Sequence, residues 1–308
     1  MSNVQPYSIS RVLNAPRALV FQASTDVGHL SKWLSPGGFK NIHANGEIKV
    51  GGIYHYGIQG PDGSQMWGKQ RYLEIVPHEK IVLIQSFSDK DGGLTRHPFA
   101  PAWPLEMLAT TTFEDAGPGK TKMTVTWAPH DSDEAGDAAF DGARSGMDQG
   151  FAGSFANLEA HLAATETQLS NSRVVDAPRE LVWKAFTETE HVNAWWGPSG
   201  FKNVEVEQDI RVGGVWKFKM VAPDGKVYLN KSTYIEIKAP ERLVYDLGDW
   251  DTVHFRASVT LAPIGKKTLV TLSVECPTRG ARDGLLGYAI DGGKQTLAKL
   301  DEYLKTMK

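Results

Sequence analysis

Residues 11–83 return as residues 173–245 without a gap, and 29 of the 73 positions are identical. Arg11 to Arg17 comes back as Arg173 to Arg179, Gly38 to Asn41 as Gly200 to Asn203, and Pro61, Asp62 and Gly63 as Pro223, Asp224 and Gly225. A solenoid stacks many short units, whereas a unit of this length that occurs twice is a duplicated domain. Beyond this stretch the copies part. The first carries extra residues from Ser88 to Leu105, and the two align again at Gly150 to Leu158 and Gly292 to Leu300. The polar joint from Ala163 to Asn171, without proline or glycine, predicts two domains, 1–165 and 170–308.

A chain of 308 residues gives each copy enough length to bury a core of its own. Lys+Arg number 33 against 36 Asp+Glu, so the basic footprint of a nucleic-acid binder is missing and no such partner is expected. No apolar run is long enough for a spanning helix, and Met1 to Ser10 hold no basic patch followed by an apolar stretch. No membrane span and a cytoplasmic location are therefore expected. The single cysteine, Cys276, excludes an intrachain disulfide and a thiolate cluster. None of the nine histidines forms an HxH or HExxH pair, so no metal is expected. The Gly51-Gly52 and Gly213-Gly214 pairs sit in hairpin context, not in a phosphate-cradling loop, and no cofactor is expected.

Within each copy the periodicity changes along the chain. In the second, Pro178 can open a helix on which Leu181, Val182, Ala185 and Phe186 fall at helical spacing, and a short helix follows at about Glu190 to Trp196. The period then becomes two: Trp216, Phe218 and Met220 alternate with Lys217 and Lys219. The last segment returns to helical spacing with Leu286, Ile290, Leu297, Leu300 and Leu304, which Phe140, Met147, Phe151, Phe155, Leu158 and Leu162 match in the first copy. Each unit is thus α+β: a strand, two short helices, about six antiparallel strands and one long helix. Such a sheet must curl round the helix to bury the helix's apolar stripe.

The order Ala177-Pro178, Trp195-Trp196-Gly197-Pro198, Asp209, Gly213-Gly214, Asp224-Gly225, Glu236-Ile237 and Pro240 to Val244 resembles the SRPBCC (START-like, helix-grip) superfamily. Within it the match is to the branch named after the activator of heat shock protein 90 ATPase. The first copy carries the series as Ala15-Pro16, Trp33 to Pro36, Glu47, Gly51-Gly52, Asp62-Gly63 and Glu74-Ile75. The resemblance implies two tandem helix-grip domains, each a curved antiparallel sheet wrapped round one long C-terminal helix with two short helices. It also implies a cavity between sheet and long helix, and a chaperone partner as one of the branch's roles.

Alternation puts Tyr54 with Tyr56, and Trp216 with Phe218, on one sheet face, and the long helix can bury its stripe only against the concave face. The expected lining is therefore Trp33, Tyr54, Tyr56, Met66, Trp103 and Phe151 in the first copy, and Trp195, Trp216, Phe218, Tyr228 and Phe255 in the second. His97, in the extra segment, is the most catalytic-looking side chain, with Glu106 as its companion. His29 and His191 are equivalent positions and read as exposed or capping histidines. Three functions fit: binding of a small, largely apolar molecule, a cyclase or hydratase acting on an apolar substrate in the same cavity, or a chaperone-interacting module.

Overall fold

Both halves obey the same local chemistry. In the computed structural model, which describes residues 4–307, the first unit comprises β1 (Tyr7–Leu13), α1 (Arg17–Thr25), α2 (Val27–Trp33), β2 (Lys40–Gly46), β3 (Ile53–Gln59), β4 (Gln65–Val76), β5 (Lys80–Ser88), β6 (Glu106–Asp115), β7 (Thr121–His130), α3 (Glu134–Gly142) and α4 (Arg144–Ala164). The second comprises β8 (Gln168–Val175), α5 (Arg179–Thr187), α6 (Thr189–Trp195), β9 (Lys202–Gln208), β10 (Val215–Val221), β11 (Val227–Lys238), β12 (Arg242–Gly248), β13 (Val253–Ile264), β14 (Lys267–Glu275) and α7 (Arg279–Thr306). The units divide after Ala164. Strand β8 starts at Gln168 and Leu169 is already buried in it, so a fragment beginning at 170 loses the head of a core strand.

Each unit holds one seven-stranded antiparallel sheet, in the order β1-β7-β6-β5-β4-β3-β2 and β8-β14-β13-β12-β11-β10-β9. The strands meander by hairpins, and the first strand of each unit closes beside the last. The hairpin turns Pro61-Asp62-Gly63 and Pro223-Asp224-Gly225 place their glycines at φ +84°, a region that only glycine enters without strain. Curvature is built in at matched places. Strand β4 shifts register between Tyr72 and Glu74, and β11 between Tyr234 and Glu236, which bends each strand so that the sheet wraps its helix.

The short helices are tied to the fold by the same bonds twice. Trp33 Nε1 donates to the Ala23 carbonyl at 2.8 Å, and Trp195 Nε1 to that of Ala185 at 3.0 Å. His29 and His191 differ from the exposed or capping expectation, since each joins its short helix to the unit's C-terminal helix. His29 Nδ1 lies 2.8 Å from His161 Nε2, and His191 Nδ1 lies 2.9 Å from the Tyr303 hydroxyl. The long helices bury the expected stripe: Met147, Phe155 and Leu158 on α4, and Ile290, Leu297, Leu300 and Leu304 on α7. One departure separates the copies. Helix α7 is continuous, whereas the first unit breaks at Ala143 into α3, capped by Asp133 on the Gly136 amide, and α4. Among the described residues no helix is long and apolar enough to cross a membrane.

Candidate functional site

A cavity of about 430 Å³ lies in the first unit between the concave face of the sheet and α4. Strand alternation supplies its floor. Tyr56, Ile58 and Met66 from β3 and β4, Ile81, Leu83 and Gln85 from β5, and Met107, Val125 and Trp127 beyond them point inward. Helix α4 supplies the roof through Gly146, Met147, Gly150, Phe151 and Phe155, and Trp33 to Pro36 form one wall. The roof owes its clearance to glycine, because a Cβ placed on Gly146 or Gly150 would meet no atom within 4 Å. Gly153 plays another part: its Cβ would fall 2.8 Å from the Gly37 amide, so it lets α4 approach the loop after α2.

The extra segment, Ser88 to Leu105, closes one end. Trp103 is buried against Phe140 at a centroid distance of 5.9 Å, and Leu105 and Pro104 reach the cavity. His97 also lines it, its ring 4.5 Å from Phe87 and 6.0 Å from Trp103. Its Nδ1 accepts the Phe99 amide at 3.0 Å, so the neutral ring keeps its hydrogen on Nε2 and has no lone pair left for a base to use. Burial lowers its pKa below the ordinary histidine value. Glu106 does not join it: no hydrogen bond or ion pair links the two, and the Glu106 carboxylate faces Arg71 at 4.0 Å. The expected acid–base pair is not assembled.

A polar relay crosses the cavity floor. The Tyr72 hydroxyl donates to Gln70 Oε1 at 3.0 Å, Gln70 Nε2 to Gln85 Oε1 at 3.0 Å, and Gln85 Nε2 to the Tyr56 hydroxyl oxygen at 2.6 Å. Burial raises the Tyr56 pKa to about 12, while the bond from Gln85 pulls the other way. All four side chains line the cavity. Among the expected lining residues, Trp33, Tyr56, Met66, Trp103 and Phe151 meet here, joined by His97, and Tyr54 does not. Its ring stacks on Tyr56 at 5.7 Å, fully buried, with a hydroxyl that has no partner. The relay itself was missed, although a glutamine inside the apolar run of β5 was a readable signal.

The second unit sets larger side chains at the equivalent positions. Register pairs Ser232 with Leu247 where the first unit pairs Gln70 with Gln85, so the relay has no counterpart. Trp216 and Phe218 take the places of Tyr54 and Tyr56, and Trp196 that of Leu34. Their rings pack at 4.7 Å for Trp216 on Phe218 and 5.1 Å for Trp196 on Trp216, and Trp195 is 1% exposed. Trp195, Trp216 and Phe218 are buried together in one hydrophobic cluster. Tyr228 shares their sheet face but sits at the hairpin end, 43% exposed, with Lys226 Nζ 4.9 Å from its ring. Phe255 is half-buried beside His254. Among the described residues no group of three or more His, Cys, Asp or Glu could hold a metal.

A family model described as "Activator of Hsp90 ATPase homolog 1-like protein" matches residues 14–163 and again 176–305. No curated protein matches the chain. Among solved structures, a protein of Nitrosomonas europaea is 26% identical over 46% of this chain and 97% of its own, with a TM-score of 0.43. An AHSA1-like protein from Aeromonas hydrophila is 20% identical over 46% of this chain and 93% of its own, at 0.38. The di-domain ARO/CYC BexL from the BE-7585A biosynthetic pathway is 14% identical over 98% of this chain and 99% of its own, at 0.39.

Proposed function

This chain belongs to the activator of Hsp90 ATPase homolog 1-like family in both of its halves, and from that premise we propose that its first unit binds a small, largely apolar molecule in the cavity beneath α4. The observation that carries the proposal is the cavity itself. A space of about 430 Å³ has the size of small-molecule sites, and its walls combine apolar side chains with a few convergent polar groups. Close packing is the norm for interiors, and in the duplicated unit, with the same fold, Trp195, Trp216 and Phe218 bury bulky rings together at the equivalent place. The difference between the copies is therefore in side chains and not in architecture. Binding without chemistry is favoured over a cyclase or hydratase because His97 has spent its acceptor on the chain and Glu106 is turned to Arg71.

Native mass spectrometry of the purified chain tests the reading. One retained small molecule per chain is expected, and its loss in a Gly150→Leu variant, whose side chain enters the free space under α4. A chain that retains nothing, and that shows no change in tryptophan emission with any apolar ligand in a diverse library, overturns it.

A further inference from the structure

The cavity is chemically one-sided, and that points to the class of molecule it takes. None of its lining residues is Asp, Glu, Lys or Arg. His97, the basic side chain in the lining, has its Nδ1 lone pair taken by the Phe99 amide, so a carboxylate, phosphate or ammonium group carried inside would lie without a counter-charge, and an unpaired buried charge costs far more than apolar contact returns. The polar groups that its hydrogen bonds hold in place offer hydrogens. In the relay three hydrogen bonds join four side chains, and the Tyr56 oxygen accepts from Gln85. The Tyr56 hydroxyl hydrogen is left with no protein acceptor. Turning both glutamine amides round reverses the relay and hands the spare hydrogen to Tyr72, which also lines the cavity. In either direction the floor presents one hydroxyl donor.

Beside Phe87, two residues along β5 from Gln85, His97 repeats this polarity. Its Nδ1 is occupied by the Phe99 amide, so the neutral ring presents Nε2–H. Two of the serine hydroxyls in the wall use their hydrogens on the chain: Ser24 donates to the Val20 carbonyl and Ser154 to that of Gly150. Ser35 likewise donates to the Phe39 carbonyl, and the Ser86 and Thr111 hydroxyls are free to turn either way. The polar contacts fixed by their hydrogen bonds include a donor at the floor and a donor on the extra segment, set in a wall of methionine, tryptophan, leucine and isoleucine.

We infer that the first unit's cavity takes an uncharged, largely apolar molecule that carries a carbonyl oxygen, with that oxygen set against the hydroxyl donor of the Tyr56–Gln85–Gln70–Tyr72 relay. This rests on the small-molecule reading above and narrows it to a ligand class: aromatic or alicyclic ketones, and not fatty acids or other anions.

The test uses the full chain and the neutral fluorescent ketone 6-propionyl-2-(dimethylamino)naphthalene, whose emission shifts to the blue in an apolar site. Three competitors of matched shape then displace it: 2-acetylnaphthalene, 2-ethylnaphthalene and 2-naphthoate. The ketone is expected to compete about fivefold better than the hydrocarbon, in keeping with one net hydrogen bond. The carboxylate is expected to compete at least about tenfold worse than the ketone. Tyr56→Phe and Tyr72→Phe each keep the ring, and at least one of them should bring the ketone to within about twofold of the hydrocarbon. A carboxylate that competes as well as the ketone overturns the inference, as does a ketone preference that survives in both variants. In those two outcomes the fluorescent ketone still binds, and the small-molecule reading stands. If it does not bind at all, and native mass spectrometry finds nothing retained, that broader reading has failed instead.

Discussion

Gln70 and Gln85 sit opposite each other on β4 and β5, where an ordinary core would have two apolar side chains. Each satisfies the other, so the cost of burying either depends on its partner's presence. Gln85→Leu leaves Gln70 and Tyr56 short of a partner and is expected to destabilise the first unit by about 1–3 kcal/mol, read by urea unfolding. Adding Gln70→Ser, which copies the Ser232–Leu247 pair of the second unit, should cost less than the two single changes summed, and additive costs would refute the coupling. The histidine pair gives a second residue-scale prediction. Burial, and then the neighbouring His29, pushes the His161 pKa down to about 4, with Lys32 acting the same way and Asp26 opposing. Above pH 6.5 neither the folded nor the unfolded chain protonates His161, and its contribution is complete. As pH falls from 6.5 towards 4 the unfolded chain takes the proton and the folded chain resists it, so stability drops across that window and levels below it. The slope lies below the ceiling of about 1.4 kcal/mol per pH unit, because the ring is partly solvated. The check is a difference that isolates this one ring: His161→Gln should flatten the pH dependence of the melting temperature relative to the parent chain.

At the scale of elements, the strand and helix order was legible in the repeat and in the switch from helical to period-two spacing, because those signals are local. The break at Ala143 was not, since Phe140 and Met147 satisfy the same stripe whether or not the helix is continuous. Nor was the space beneath α4, which depends on substitutions acting together, tyrosine for tryptophan at 54 and leucine for tryptophan at 34. Tyr54 and Tyr228 were misplaced for a related reason, since sharing a sheet face does not say which residue reaches the space and which lies behind or beyond it. The glycines of α4 supply a prediction with two signs. Gly146→Ala and Gly150→Ala meet no atom within 4 Å and should each stabilise the unit by about 0.5–1 kcal/mol through helix propensity. Gly153→Ala, forced against the Gly37 backbone, should destabilise it. Denaturant midpoints for the three variants decide the matter, and a uniform sign would refute the division between roof and contact.

For the whole molecule, two units that share a fold and differ in packing should behave as two thermodynamic bodies. Residues 1–164 and 165–308, expressed separately, are expected to be soluble and to melt cooperatively, and aggregation of both would refute independent folding. In the intact chain the unit with the filled core should give the higher transition and the hollow one the lower. A ligand at about 100 times its dissociation constant adds about 2.7 kcal/mol to the state it occupies, which for a domain of this length raises its transition by about 5–10 °C. Differential scanning calorimetry should find the lower transition moving with added ligand and the upper one fixed. The duplication then has a consequence of a metrological kind. One polypeptide carries a thermometer whose reading depends on its small-molecule surroundings alongside a reference of the same make that does not, and the gap between the two melts measures free ligand without a label or a standard curve for protein concentration.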